Sequence, residues 1–400
     1  MNLVERASAA AIVLLGSAGL AFGITPAFEI LQSVPGLEGA GQSVFDISAD
    51  GQFATGVGGG TVFRWERGVG VTPISDTNWQ HTFTAGISAD GSRIVSTVDA
   101  DNNGFFNAAY WDASTGAWTE TSLYQAYTGP EDIEGSVGFD VSGDGNTIVG
   151  LGWLPTYRAE AVSYDIAGAA WNGLGHPPTA SSRASGVNSS GTLIGGWVES
   201  ETTGSRRATF WESGVATTIT PDDGSVGEFN SVSSNGRYVV GYGTNPDPSQ
   251  NFANAGLICD TLTGDTQYIP GIDLTFFGTT ELNFTDVADN GVAVGIDGNA
   301  FFGFQRGAIF IPGEGLMWVR DYLVSVGLDM DTLLNYDPMT GFDEWHILTA
   351  DAISADGTTM GGQMINWTTY ETRGWIATIP APSTGLLLGA GATLLTRRRR

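Results

Sequence analysis

Residues 84–98 read TAGISADGSRIVSTV, and this order of apolar strand, small polar turn and second apolar strand decides the fold. Seven copies of it occur along the chain, with turn glycines at Gly51, Gly91, Gly145, Gly191, Gly236, Gly291 and Gly357. Asp-Gly, Asn-Gly and Ser-Gly favour tight hairpins, because glycine adopts a positive φ at little cost. The mean spacing of 51 residues between these glycines predicts a repeat protein.

Each copy continues into a third strand that carries a bulky residue, such as TVFRW (61–65) or AAYW (108–111). A second turn, often with glycine, then leads to a fourth strand such as VGVTPIS (69–75). Four short antiparallel strands per repeat are typical of a β-propeller blade, whereas the coils of a parallel β-helix are shorter. The sequence therefore predicts an all-β fold, a seven-bladed β-propeller of four-stranded antiparallel blades.

The two ends of the repeat region complement each other. The seventh copy stops at Ile379 after its third strand, while FEILQSVPG (28–36) has the pattern of a fourth strand without a blade. We expect this N-terminal strand to close the last blade, which removes the exposed sheet edges of an open array.

The segment from Met317 to Thr349 departs from the repeat. Its apolar residues fall at helical spacing between Trp318 and Val326, and Gly327 is a candidate helix end. The sequence predicts a short helix on one face or the rim of the ring, with either a capping or a binding role.

Both chain ends have the composition of targeting segments. Arg6, an apolar run to Leu20 and the small residues around Phe22 predict a signal peptide over 1–23, cleaved by signal peptidase after Gly23. The propeller domain is expected over 24–379. The tail over 380–400 contains an apolar segment at 385–395 and ends in Arg397, Arg398, Arg399 and Arg400. That segment is shorter than the roughly 20 residues of a membrane-spanning helix, so a transient membrane association is predicted.

Two resemblances follow from these motifs. Ile87-Ser88-Ala89-Asp90-Gly91, the apolar strand after it and the later Ala-x-x-Trp resemble the HAF-type extracellular repeat over about residues 28–379. In the later copies Ser190 and Asn290 replace the turn aspartate, and Cys259 and Ile311 are expected at the position of the tryptophan. This family implies a propeller-like fold and supplies no common catalytic residues.

The tail resembles the PEP-CTERM sorting signal in its order of short motif, apolar segment and basic end. Its motif is Pro380, Ala381 and Pro382, with alanine where the family has glutamate. The resemblance implies cleavage by an exosortase and a place on the cell surface or in the extracellular matrix of a Gram-negative-type bacterium. A simple C-terminal anchor is the alternative interpretation.

The charge balance limits the partners. The chain has 43 acidic residues against 16 arginines and no lysine, a net charge of −27. Such a surface repels nucleic acid and anionic lipid, and it is compatible with a hydrated polysaccharide matrix, with surface proteins or with solubility alone. Cys259 is predicted to fill the core, and His81, His176 and His346 lack the spacing of zinc ligands.

One loop has the pattern of a calcium site. Asp99, Asp101, Asn103 and Asn107 place side-chain oxygens at positions 1, 3, 5 and 9, with Gly104 at position 6 for the sharp turn. Ca²⁺ is therefore a candidate cofactor, bound weakly because two of these ligands are uncharged. The alternative is a polar connection between two strands.

Three functional hypotheses are compatible with the sequence. The first is an exported structural or interaction protein without catalysis. The second is a glycan- or protein-binding module, and the third is a carbohydrate-active hydrolase or lyase that uses two of the many carboxylates.

Overall fold

The protein is a ring of seven four-stranded antiparallel blades around a central channel, which confirms the predicted fold class. The computed structural model describes residues 24–75, 80–100, 106–122, 124, 135–156, 158–175, 177–246, 254–274, 278–299, 304–339 and 341–380. In each blade the chain runs as a meander from the channel outward, so the first strand is innermost.

Strand β1 (Ala27–Ile30) precedes the first five blades, whose strands follow in chain order. Blade 1 contains β2 (Gln42–Ile47), β3 (Phe53–Gly58), β4 (Thr61–Glu66) and β5 (Gly70–Pro73). Blade 2 contains β6 (Gln80–Ile87), β7 (Arg93–Asp99), β8 (Asn107–Asp112) and β9 (Ala117–Glu120). Blade 3 contains β10 (Ser136–Val141), β11 (Thr147–Trp153), β12 (Ala159–Asp165) and β13 (Ala170–Gly173). Blade 4 contains β14 (Ser182–Val187), β15 (Leu193–Glu199), β16 (Arg206–Glu212) and β17 (Val215–Thr218). Blade 5 contains β18 (Gly227–Val232), β19 (Tyr238–Thr244), β20 (Asn254–Asp260) and β21 (Thr266–Ile269).

The last two blades carry additional elements. A hairpin of β22 (Asp273–Leu274) and β23 (Gly278–Thr279) precedes blade 6, which contains β24 (Glu281–Val287), β25 (Ala293–Asn299), β26 (Phe304–Ile311) and β27 (Gly315–Trp318). An insertion follows, with α1 (Val319–Ser325), α2 (Met330–Leu333), β28 (Tyr336–Asp337) and β29 (Phe342–Asp343). In blade 7 the innermost strand is split into β30 (Trp345–Ile347) and β31 (Ala352–Ile353), and both pair with β32 (Thr359–Asn366), which pairs with β33 (Thr372–Thr378).

The N-terminal strand closes the ring, as predicted. β1 pairs antiparallel with β33, so that Ala27 lies opposite Thr378 and Ile30 opposite Trp375. The ring of Phe28 stacks on the indole of Trp375 with 5.7 Å between centroids. Blade 7 therefore has four layers of strand like the others, and its third strand leaves no unpaired edge.

The turn residues act as the sequence predicts, through hydrogen bonds within the turn. In blade 2 the Ser88 hydroxyl donates to Asp90 Oδ1 at 2.9 Å and accepts the N–H of Arg93 at 2.9 Å. Asp90 Oδ1 also accepts the N–H of Ser92 at 2.9 Å. The aspartate satisfies groups of its own hairpin, and the equivalent turns of blades 1, 3 and 7 repeat this pattern.

The turn glycines also allow neighbouring blades to come close. Gly91 has a φ of +70°, and a Cβ there would lie 2.3 Å from the ring of Phe53 in the preceding blade. Gly51, with a φ of +67°, has the same relation to Thr359 of blade 7, at 2.2 Å. Only glycine therefore satisfies both the backbone and the packing at these positions.

These turns define the two faces of the ring. We call the face with the seven glycine turns the turn face. The opposite face, where the second strand connects to the third and one blade connects to the next, is the loop face.

Apolar side chains fill the space between blades. The described residues form seven buried clusters, one at each interface between neighbouring blades. Cys259 lies fully buried between blades 4 and 5, and burial raises the pKa of its thiol, as expected for a core residue. One expectation is wrong: Phe310, rather than Ile311, occupies the tryptophan position of blade 6, because Phe310 pairs with Ala293 as Trp65 pairs with Ala54.

The predicted helix is present as α1. Its Val319, Tyr322 and Leu323 are buried in the cluster between blades 6 and 7, and Gly327 follows the helix with a φ of +99°. Among the described residues, no helix has the length and apolar character needed to cross a membrane.

The two constraints on the turn glycines can be separated by mutation. Gly116 has a φ of +67°, but a Cβ added there would have no other atom within 4 Å, whereas Gly91 has both the positive φ and the close contact. We expect Gly116→Ala to lower the free energy of unfolding by about 1–2 kcal/mol, and Gly91→Ala to lower it by roughly 1–3 kcal/mol more. Equal losses in urea unfolding would show that the approach of the blades imposes no additional constraint.

Candidate functional site

The central channel narrows where one position of each innermost strand faces its axis. Moving around the ring, this position is occupied by Asp46, Gly86, Asp140, Gly186, Ser231, Asp286 and Ala352. In blades 1, 3, 4, 5 and 6 a β-bulge directly precedes this position, and in three of them the residue after the bulge is an aspartate that lines the channel. The three carboxylates are half-buried and lie between two cavities, one of about 70 Å³ toward the turn face and one of about 280 Å³ toward the loop face.

Each of these carboxylates connects two blades. Asp46 accepts the N–H of Ile47 and, across the interface, the N–H of Ile87, both at 2.7 Å. Asp140 and Asp286 make the same pair of bonds. Across the interface, Asp140 accepts the N–H of Val187 at 2.9 Å and Asp286 accepts the N–H of Ile353 at 2.7 Å. Both oxygens of each carboxylate are therefore bonded to backbone donors.

Other polar side chains join blade 5 to blade 6 and blade 7 to blade 1. The Ser231 hydroxyl of blade 5 donates to Asp286 Oδ1 at 2.7 Å, and the Ser43 hydroxyl of blade 1 donates to Asp351 Oδ2 of blade 7 at 3.2 Å. On the turn face, backbone bonds run from one blade to the next, as from Ala49 N–H to the carbonyl of Ala89 at 3.1 Å. The polar residues of the channel thus belong to the scaffold of the ring.

The channel carboxylates hold protons more tightly than ordinary aspartates. Burial, followed by the charges of Asp140 and Asp286, raises the pKa of Asp46 well above its usual value. Burial also raises the pKa of Asp140 to about 7, and those of Asp286 and Asp351 to about 6. The backbone N–H donors oppose these shifts because they favour the charged form.

The loop-face end of the channel also contains an ion pair network around the buried carboxylate of Glu228. Arg183 of blade 4 donates to Glu228 of blade 5 at 2.9 Å, and Arg206 donates to the other oxygen of Glu228 at 2.6 Å. The two guanidinium groups lie over the indole of Trp197, at 5.5 and 4.5 Å from its centroid. This network lies beside the loop-face cavity of the channel and joins blades 4 and 5.

A larger cavity of about 400 Å³ lies on the loop face between blades 6 and 7, and we call it the insertion pocket. Blade 6 contributes Arg306 from the start of β26 and Trp318 from the end of β27, while β30 of blade 7 contributes His346. The insertion supplies the outer wall, with Tyr336 from β28 and Phe342 from β29. The departure from the repeat therefore both packs α1 against the core and forms a pocket.

The charged groups of the insertion pocket are largely paired with each other. Arg320 of α1 binds Asp343 through two nitrogens, at 2.6 and 2.9 Å, and binds Asp331 of α2 at 2.6 Å. The guanidinium of Arg306 lies 4.2 Å from the ring centroid of Trp318, and burial lowers its pKa. Burial and then the charge of Arg306 lower the pKa of His346, so the imidazole is neutral at neutral pH.

Exposed aromatic side chains surround this pocket. Phe342 is 71% exposed and Tyr336 40%. In the turn between β32 and β33, Trp367 is 49% and Tyr370 74% exposed, with their rings 6.4 Å apart in an edge arrangement. The imidazole of His346 lies 6.5 Å from Trp367 and so connects the pocket to this second aromatic pair.

The calcium loop stays a prediction, since Asp101 and Asn103 lie outside the described residues. Of its other two members, Asp99 is buried at the end of β7, and Asn107 at the start of β8 donates to Glu120 at 2.8 Å and accepts the N–H of Gly135 at 3.2 Å. Within the described part of the chain, no group of three or more His, Cys, Asp or Glu side chains is placed to hold a metal ion.

The targeting segments also stay predictions. Gly23, Ala381, Pro382 and Arg397 to Arg400 lie outside the described residues, and Pro380 ends the described part just after β33. Of the histidines, His346 lines the insertion pocket, whereas His176 and the side chain of His81 lie outside the described part of the chain.

The sequence motifs revealed neither the channel aspartates nor the insertion pocket. Three copies contain the pattern Asp-[Ile/Val]-[Ser/Ala] ahead of the turn, at Asp46, Asp140 and Asp286, which indicates a shared role for this position. The insertion pocket has no such sequence pattern, because Arg306 and Trp318 of blade 6 meet His346 only where blades 6 and 7 pack side by side.

Comparison with known proteins supports the fold. No family model and no curated protein matches the sequence. Among solved structures, the oligogalacturonate lyase from Vibrio parahaemolyticus is similar at a TM-score of 0.53 and 11% identity, over 89% of this chain and 98% of that one. The β-propeller domain of the trilobed protease from Pyrococcus furiosus has a TM-score of 0.53 and 10% identity, over 85% of this chain and 95% of that one. The Cps50 (Swd1) β-propeller domain from Myceliophteria thermophila has a TM-score of 0.51 and 12% identity, over 88% of this chain and all of that one. At these identities the likeness concerns the fold alone.

The raised pKa values predict how stability depends on pH. Because the folded pKa of Asp140, about 7, lies above the usual unfolded value of about 3.9, the folded state binds more protons between these values and loses stability as the pH rises through 7. We expect Asp140→Asn to weaken this loss between pH 5 and pH 8. Urea unfolding at several pH values measures the slope, with exposed Asp222→Asn as a control of the same charge change. Equal slopes for the two variants would contradict the assignment.

Proposed function

We propose that this propeller is an exported protein of the cell surface or extracellular polysaccharide matrix that acts by binding and not by catalysis. The insertion pocket on the loop face is its binding site. The observation that carries this proposal is a pocket of about 400 Å³ rimmed by exposed aromatic side chains. Pockets of this size with a few convergent polar groups are typical ligand sites.

The arrangement of the carboxylates supports binding over hydrolysis. A glycosidase needs two carboxyl groups free to contact the substrate, one of which gives up a proton. In the channel, Asp46, Asp140 and Asp286 have both oxygens bonded to backbone donors. Asp351 instead accepts the hydroxyls of Ser43 and Thr349 on Oδ2. In the insertion pocket, Asp331 and Asp343 are bound to Arg320.

The charge and the chain ends support an extracellular location. A net charge of −27 disfavours nucleic acid and anionic membrane surfaces as partners. The proposed signal peptide over 1–23 and the PEP-CTERM-like tail over 380–400 would direct export and sorting, with signal peptidase and an exosortase as transient partners. The propeller over 24–379 is then the part that remains outside.

Export and processing can be tested on the protein from its native cells. We expect mass spectrometry of the envelope and matrix fractions to find a chain that begins at Ile24 and lacks the residues after the Pro380–Pro382 motif. Replacement of Arg397 to Arg400 by alanine should leave the C-terminus unprocessed. Replacement of the exposed Glu212 and Asp222 by alanine should leave processing of the C-terminus intact. An intact chain confined to the cytoplasm would refute the proposal.

A further inference from the structure

We infer that the insertion pocket binds an uncharged saccharide, and that a longer saccharide chain continues from the pocket over Trp367 and Tyr370. This inference rests on the proposed binding function and specifies the chemical class of its ligand. The aromatic and polar walls of the pocket, its charge and its connection to a second aromatic pair support it independently of one another.

The walls of the pocket match the two kinds of surface that a pyranose offers. The faces of the sugar ring carry C–H groups, and the side chains of Trp318, Tyr336 and Phe342 provide aromatic surface for them. The edges carry hydroxyls that both donate and accept hydrogen bonds. The guanidinium of Arg306 and the carboxylate of Asp321 line the same cavity, so its wall contains both a donor group and an acceptor group.

The charge of the pocket favours an uncharged ligand over an anionic one. Two arginines and three aspartates line it, a formal charge of −1 with His346 neutral. Of the two arginines, Arg320 already binds Asp343 and Asp331. The carboxylate of a uronate would therefore compete with Asp343 and Asp331 for Arg320, and the negative net charge of the protein would repel it.

The size of the cavity and its surroundings indicate an oligomeric ligand. About 400 Å³ accommodates one or two sugar units, and His346 lies both in the pocket wall and 6.5 Å from Trp367. Beyond it the rings of Trp367 and Tyr370 are held 6.4 Å apart in an edge arrangement, with large fractions of both exposed. A chain that leaves the pocket on this side meets a second aromatic surface.

The test is a titration of the full-length protein with neutral oligosaccharides from one to four units, built from glucose, galactose or mannose, and with galacturonate oligomers of the same lengths. Calorimetry or saturation-transfer NMR reports binding. We expect at least one neutral series to bind, with affinity that increases with chain length.

Variants locate the binding. Phe342→Ala and Trp367→Ala, both at exposed positions, should each weaken the affinity about three- to tenfold, and Trp367→Ala should affect the longer chains more than the monosaccharide. The matched control is Trp153→Ala at the end of β11 in blade 3, where the side chain is 38% exposed, and it should leave the affinity unchanged.

Three results would overturn the inference. The first is binding of galacturonate oligomers alone, and the second is no binding of any neutral series at ligand concentrations up to about 10 mM. The third is an equal loss of affinity in the Trp153→Ala control. If the protein is found processed on the cell surface but binds no saccharide, only the ligand class fails. If it is not exported, the proposed function fails as well.

Discussion

The ring depends on hydrogen bonds between the innermost strands of neighbouring blades. The carboxylates of Asp46, Asp140 and Asp286 each accept one N–H from their own strand and one from the next blade. The apolar clusters between blades supply stabilisation without direction, whereas these bonds fix the relative orientation of blades 1 and 2, of blades 3 and 4, and of blades 6 and 7. The turn-face backbone bonds and the close approach at the turn glycines add to the same constraint.

This scaffold role explains why carboxylates with raised pKa values need not indicate catalysis. Perturbed pKa values often mark active sites, but structural networks also produce them. Here the channel brings like charges together and partly buries them, while backbone donors occupy both oxygens of Asp46, Asp140 and Asp286. The regular part of the chain thus forms the ring, and the segment 317–349, which departs from the repeat, contributes to a pocket. Departures from local regularity are where function is expected in a repeat protein.

Much of the fold could be predicted because its determinants are local. The turn from Ser88 to Gly91 contains its own hydrogen bonds and its positive φ, so each copy predicts a hairpin by itself. The closing strand could be predicted from a missing fourth strand in the seventh copy. By contrast, the sequence places the tryptophan position of blade 6 one residue too late, at Ile311. Phe310 is the adjacent bulky residue, and only its pairing with Ala293 decides between the two.

The candidate site could not be predicted in the same way. The channel position is aspartate in three blades and a small residue in the other four, so a single sequence does not reveal it as one motif. The small residues are nevertheless required, because Gly86 and Gly186 provide the space that adjacent blades need. Arg306, Trp318 and His346 contact one cavity only because the sixth and seventh blades pack side by side. The calcium loop depends on Asp101 and Asn103 and remains a prediction from the sequence.

Hydrogen exchange of the backbone amides of Ile87, Val187 and Ile353 tests the central claim most directly, because these N–H groups donate across blade interfaces to the channel aspartates. If the carboxylates hold the ring together, these amides exchange only when blades separate, as slowly as the most protected strand amides of the protein. Exchange as fast as that of amides in an unfolded chain would contradict the account.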